Sequence, residues 1–285
     1  MYQYFCGWYF KCQSETQTLA IIPAYHKSKS GSSCSIQLIT NDDAWNLSFP
    51  YHTLSNHSFP ISIAQNYFGQ DGIRLSIRTS DCCAFGFLRF NTLSPIRYDI
   101  MGPFHYLPFM QCRHSILSMR HSVHGSLTIQ GIRYTFTDGI GYIEGDRGYS
   151  FPKHYIWTQC FFQNGSLMIS VAHIPMGFFH FTGVIAIIHW NNNEYRLATY
   201  LDAKIVKIKN GEIVIQQKNW ILSAKLLESH AHPLLAPVKG AMKRTISESV
   251  SCCASYCFRQ DAQTLFSFET NQASFEYEYP DFPLS

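Results

Sequence analysis

Charge is what this chain has least of. Charged residues fill 14% of its 285 positions, against roughly 25% in an ordinary soluble domain. The formal charge of +3 is small, and no Lys/Arg-rich run concentrates it, so nucleic acid is not an expected partner. Long apolar runs are missing too. The longest, Val184-Ile185-Ala186-Ile187-Ile188, is of strand length, well short of the roughly 20 residues of a spanning helix. The opening Met1-Tyr2-Gln3-Tyr4-Phe5 has no basic region leading into an apolar one. A cytoplasmic protein, at most peripheral to a membrane, is the expectation. A lipid-like ligand would favour transient contact with a membrane surface.

Motifs for other chemistries are absent. There is no Gly-x-Ser-x-Gly elbow, phosphate-cradling loop or dinucleotide fingerprint. The 10 cysteines lack paired Cys-x-x-Cys spacing. Cys82-Cys83 and Cys252-Cys253 are adjacent, so in strands each pair would face opposite ways. Free, packed thiols are expected. His114, His121 and His124 fall in one region, but no histidine has a recognised ligand motif with a carboxylate partner. No metal and no cofactor is expected.

Aromatics, in contrast, are abundant, with 22 Phe and 17 Tyr. The alternation of half-buried strands recurs along the chain, as in Ile73-Arg74-Leu75-Ser76-Ile77-Arg78. Gln130-Gly131, Asn164-Gly165 and Asn210-Gly211 separate apolar alternations and predict hairpins. Lys27 to Ser35 reads as a surface connection. No long segment has helical spacing with caps, and Pro237 and Gly240 interrupt Leu234 to Met242. The prediction is an all-β protein of sandwich or barrel type. Aromatic strands open at Trp8 and at Tyr155, which suggests two units, 1–130 and 131–285.

The most specific window runs from Gly139 to Cys160, GIGYIEGDRGYSFPKHYIWTQC. Glu144 and Asp146 sit two apart, Gly145 and Gly148 bracket Asp146 and Arg147, and Phe151-Pro152 precedes an aromatic strand ending in Gln159. The acidic stretch reads as a glycine-rich turn. An acid beside an arginine in such a turn also reads as a salt bridge or an Asx turn. Trp8 and Trp157 read equally as core aromatics.

These residues resemble the tocopherol cyclase family. Its pattern of acidic turn, Phe-Pro and aromatic strand appears here as Glu144, Asp146, Gly148, Ser150, Phe151, Pro152, Trp157 and Gln159. Gly7-Trp8-Tyr9-Phe10-Lys11, Asp99 to Phe104 and His180-Phe181-Thr182-Gly183 are similar to further segments of that family. Arg147 stands where its plant members usually carry Trp. The resemblance implies two lipocalin-like (calycin-type) antiparallel β units packed together. It implies cyclisation of a prenylated quinol to a chromanol, with Asp146 and Glu144 as the acid that protonates an alkene. Trp8, Tyr9 and Trp157 would face the cation, and Phe151, Gln159 and His180 would line the ligand. The alternative is a calycin-like binding protein that holds an apolar small molecule without turnover.

Overall fold

The computed structural model describes residues 3–107, 110–176 and 179–279, without the side chains of 176, 179 and 180. It is built almost wholly of antiparallel strands in two ten-stranded sheets. The first contains β1 (Tyr4–Gln13), β2 (Thr18–Ser28), β3 (Gly31–Thr40), β4 (Ala44–Pro50) and β5 (Ile61–Ile63). It continues with β6 (Asn66–Gly69), β7 (Gly72–Arg78), β8 (Cys83–Phe90), β9 (Cys112–Ile129) and β10 (Ile132–Gly148). Their order is β4-β3-β2-β1-β10-β9-β8-β7-β6-β5.

The second sheet contains β11 (Tyr155–Phe162), β12 (Gly165–Met176), β13 (Phe179–Trp190), β14 (Asn193–Ala198) and β15 (Lys204–Lys209). The remainder are β16 (Glu212–Gln217), β17 (Trp220–Glu228), β18 (His232–Val238), β19 (Ala241–Gln260) and β20 (Gln263–Glu278). Their order is β14-β13-β12-β11-β20-β19-β17-β16-β15, with β18 paired to β19.

Each sheet curls around its own core. Leu47 from one end of the first sheet and Ile61 and Ile63 from the other meet in a single cluster with Phe10, Ile36 and Leu127. In the second, Leu197 and Ile208 from the two ends join Ile156, Ile188 and Phe258. The chain divides into two compact units. One comprises Met1–Ile96, Cys112–Phe151 and Leu234–Thr245, the other Arg97–Gln111, Pro152–Pro233 and Ile246–Ser285. The 130/131 position at which the sequence suggests a division lies at the β9–β10 turn, within the first unit.

The strands follow the sequence pattern. β7 alternates between buried and exposed positions from Ile73 to Arg78. β1, β2 and β11 are buried at nearly every position, so both faces of these central strands are covered. Gln130-Gly131 and Asn210-Gly211 have positive φ at both positions, as a type I′ hairpin requires. The third hairpin turns one residue earlier than its Asn-Gly suggests, because Phe162 pairs with Gly165 and only Asn164 has positive φ.

Two sequence expectations are corrected. Lys27 to Ser35 is not a surface loop, because Ser28 pairs with Gly31 in a tight hairpin. The Glu144–Gly148 stretch is not a turn but the end of β10, paired on both sides with β1 and β9. Gly145 has another use there: a Cβ would stand 3.1 Å from Trp8 Cδ1, so its absence makes room for the indole. The cysteines are free, and six of the ten are buried. Among the described residues, no helix is long and apolar enough to cross a membrane.

Candidate functional site

Because the acidic stretch is a strand, Tyr142, Glu144 and Asp146 point to one face of the first sheet. The register places Lys11, Tyr9 and Gly7 of β1 directly opposite them. On the other side of β10, His114 of β9 is the direct partner of Asp146. Two register shifts interrupt the β9–β10 pairing around Ile143. His114 and His121 stand seven apart on β9, an odd spacing that turns them to opposite faces. His114 joins the acidic face, while His121 sits opposite Gly141 and against Phe90, at 4.6 Å between ring centroids. Such bulges are common beside active sites.

The acidic face holds a connected polar cluster. His114 Nδ1 lies 3.0 Å from Asp146 Oδ1 in a hydrogen bond. His114 Nε2 lies 3.2 Å from Glu144 Oε2, a close charge contact without hydrogen-bond alignment. The Tyr142 hydroxyl donates to Glu144 Oε2 at 2.5 Å, and the Cys112 thiol donates to Asp146 Oδ1 at 3.3 Å. The Glu144 side chain is 6% exposed and that of Asp146 23%, so Asp146 is the outer carboxylate. Both of its partners converge on Oδ1, which leaves Oδ2 as the open atom of the cluster.

Electrostatics fix the protonation of the histidine. Burial pushes the His114 imidazole down, but Glu144 and Asp146 together outweigh it, and the pKa ends well above the ordinary 6.5. The two acids thus favour the charged, imidazolium form of His114. Burial and then Glu144 raise the Tyr142 phenol, which stays a neutral donor. Burial and then Asp146 do the same for Cys112. His121 is the reverse case, pushed down to about 4 by burial alone.

His114, Glu144 and Asp146 also offer three ligand atoms within 4.8 Å of one another, the spacing a divalent ion would need. Asp146 Oδ1 and Glu144 Oε2 already accept from Cys112, His114 and Tyr142. An ion would have to displace those contacts and the His114 proton.

The other residues singled out from the sequence fall in several places. Tyr9 is buried on the acidic face opposite Glu144. Trp8 points the other way, into the first core, with Phe59 at 5.8 Å and Tyr25 at 6.5 Å. Phe151 packs edge-on against Phe5 at 5.4 Å. Arg147 is exposed, while its sequence neighbour Asp146 is held by His114 and Cys112. Trp157 and Gln159 belong to the second unit, buried on one face of β11. His180 lies on β13 opposite Pro175, and its side chain is outside the described residues. His114, Tyr142 and Cys112 were not picked out as site residues. Tyr142 was recoverable from the Tyr-x-Glu-x-Asp alternation, whereas His114 is brought in by the β9–β10 register.

No family model matches the chain, and no curated protein matches its sequence. Solved structures do match along nearly its whole length. CghA with Sch210972 superposes with a TM-score of 0.63 at 8% identity, over 99% of this chain and 90% of that one. Kievitone hydratase from Nectria haematococca gives 0.57 at 8% identity, over 96% and 89%. An AttH-type protein from Nitrosomonas europaea gives 0.54 at 9% identity, over 98% and 93%. The fold is lipocalin-like. At such identities the likeness concerns the fold alone.

Proposed function

We propose that this lipocalin-like protein catalyses proton-initiated addition of oxygen across a carbon–carbon double bond of an apolar substrate. The observation that carries the reading is the His114 ring, whose two nitrogens lie 3.0 Å from the outer Asp146 and 3.2 Å from the buried Glu144. The first substrate class to test is a prenylated quinol, closed to a chromanol as in the tocopherol cyclases that the sequence resembles.

The proposed step balances without a cofactor. The His114 Nδ1 proton passes to Asp146 Oδ1, and the carboxyl group turns about its Cβ–Cγ bond to bring that O–H to the open side, where it is delivered to the less substituted alkene carbon. A tertiary cation forms beside a cluster that now carries two negative charges and no positive one. Fixed charge in a water-poor site stabilises such a cation far better than solvent does. The quinol oxygen attacks the cation, and its proton returns through Asp146 to His114. Tyr142 holds Glu144 in place throughout, and the aromatic ring of Tyr9 lies on the same face.

Water addition is the second reading, favoured by the fold shared with a protein named as a hydratase. It uses the same proton and the same cation, with water in place of the internal oxygen. A carrier without turnover is the third. Incubation with a prenylated quinol, with product analysis by mass spectrometry, separates them. Product of unchanged mass and altered retention supports the cyclase, and product heavier by one water the hydratase. Bound substrate recovered intact, with no product, leaves the carrier.

A further inference from the structure

The outer face of the first unit carries aromatics of core size. Along β8, Ala84, Leu88 and Phe90 are buried, while Phe85 is 51% and Phe87 53% exposed. The register sets Ser76 of β7 and Thr128 of β9 on either side of Phe85, and Arg74 and Ser126 on either side of Phe87. Arg78 lies beyond Phe85, opposite Cys83, and Arg89 follows Phe87 on the same face. The Arg89 guanidinium lies 5.7 Å from the Phe87 ring centroid. Arg133 of β10 pairs with Thr128 and donates to the Ser126 hydroxyl at 3.2 Å.

Charge of one sign surrounds the two rings. β7, β8 and β9 contain no Asp or Glu. Asp71 and Asp81 sit on the turns at the two ends of β7, and Asp71 is held there by the Tyr67 hydroxyl. The absence of a Lys/Arg-rich run in the sequence does not bear on this face, because Arg74, Arg78, Arg89 and Arg133 are gathered from three strands. Adjacent exposed rings with a polar rim mark a contact site, whereas rings scattered singly do not.

We propose that this face binds a single-stranded nucleic acid, with one base stacked on each of Phe85 and Phe87 and the phosphates met by the four arginines. Positions two apart on a strand are separated by about 7 Å, twice the roughly 3.4 Å step between stacked bases of a duplex. Two neighbouring bases therefore reach both rings when they are unstacked, in an extended single strand. The alternation Phe85-Gly86-Phe87, with Phe90 buried, is also the one by which RNA-recognition sheets turn aromatics to solvent, here in a different fold. The hydroxyls of Ser76 and Thr128 stand in the same row as Phe85 and can meet base edges. An anionic membrane fits less well. Arginine is longer than phenylalanine, so on one sheet face the guanidinium groups would stop at the headgroups before the rings reached the acyl boundary. The proposal is independent of the reaction at His114 and stands or falls separately from it.

Fluorescence anisotropy of the full chain with a labelled oligothymidylate of about 12 nucleotides, within the site sizes of stacking platforms, tests the proposal. The same strand annealed to its complement and phosphatidylserine vesicles serve as comparisons. Wild-type protein is expected to bind the single strand roughly tenfold or more tighter than the duplex, whose bases are closed to stacking. Phe85→Ala and Phe87→Ala are each expected to weaken binding roughly tenfold, the loss of one stacked base. Their thermal melts should match wild type, because neither ring belongs to the core cluster. Arg74→Gln is expected to weaken binding and to reduce its salt slope by about one phosphate contact. No binding of the single strand, equal binding of single strand and duplex, or full binding in both phenylalanine variants overturns the proposal. Vesicle binding without oligonucleotide binding also overturns it and assigns the face to a membrane. Since the duplex comparison uses wild-type protein, the test holds even if a variant fails to fold.

Discussion

His114 and Asp146 are direct cross-strand partners on β9 and β10, and their side chains meet at 3.0 Å through Nδ1 and Oδ1. Thirty-two residues of sequence separate them. The pair turns an acidic strand into a proton-holding group, because the same imidazole also lies 3.2 Å from Glu144.

The two carboxylates are predicted to differ in function. Asp146→Asn removes the outer proton carrier and should lower turnover about a hundredfold or more, within the usual range for a general acid or base, without unfolding the protein. Glu144→Gln should cost stability as well, because it disturbs the Tyr142 contact and leaves the His114 cation with one carboxylate. Product formation and thermal melts on both variants check this. Equal activity in Asp146→Asn would remove Asp146 from the mechanism.

His114 should remain protonated far above the usual histidine range. Its folded pKa is raised, so its contribution to stability is full below pH 6.5, the ordinary value, and is lost as pH rises through the folded pKa. Nitrogen NMR shifts of the imidazole report this directly. A neutral ring at pH 7 would contradict the assignment.

His121 and His26 should act in the opposite sense. Both are pushed down to about 4 by burial. Their contribution is present above pH 6.5, where the unfolded chain is also neutral, and is lost as pH falls toward 4. Each carries about 3 kcal/mol of acid sensitivity, reached once the pH lies below the folded value. Urea unfolding of wild type and His121→Gln between neutral pH and pH 4 should show a shallower decline in the variant. Parallel curves would show that His121 does not drive acid unfolding.

Chelation discriminates between proton and metal chemistry at the same residues. The hydrogen bonds within the cluster predict that prolonged incubation with a strong chelator leaves turnover unchanged. Loss of activity, restored by one divalent ion, would convert His114, Glu144 and Asp146 into a metal centre.

Much of the fold was legible in the sequence because strands write their burial into every second residue, as from Ile73 to Arg78. Turns were legible where backbone geometry demanded Asn or Gly, as at Asn210-Gly211. The reading failed at Glu144 to Gly148, where glycine signalled a turn. There Gly145 answers to Trp8 on the next strand, a tertiary contact with no local trace. Glu144 and Asp146 could be singled out through the family resemblance of their acidic, glycine-containing stretch, although the strand face that they share was not read there. His114 could not be joined to them, since the shifts in the β9–β10 register set which histidine reaches the acids.

The central claim is that the cluster around His114 adds a proton to carbon. The most direct test is reaction of a prenylated quinol in heavy water, with the product examined by mass spectrometry after back-exchange into ordinary water. The account predicts a chromanol bearing a single non-exchangeable deuterium on the carbon next to the new ether carbon, with the yield collapsing in Asp146→Asn. A product without that deuterium, or an undiminished yield in the variant, would contradict it.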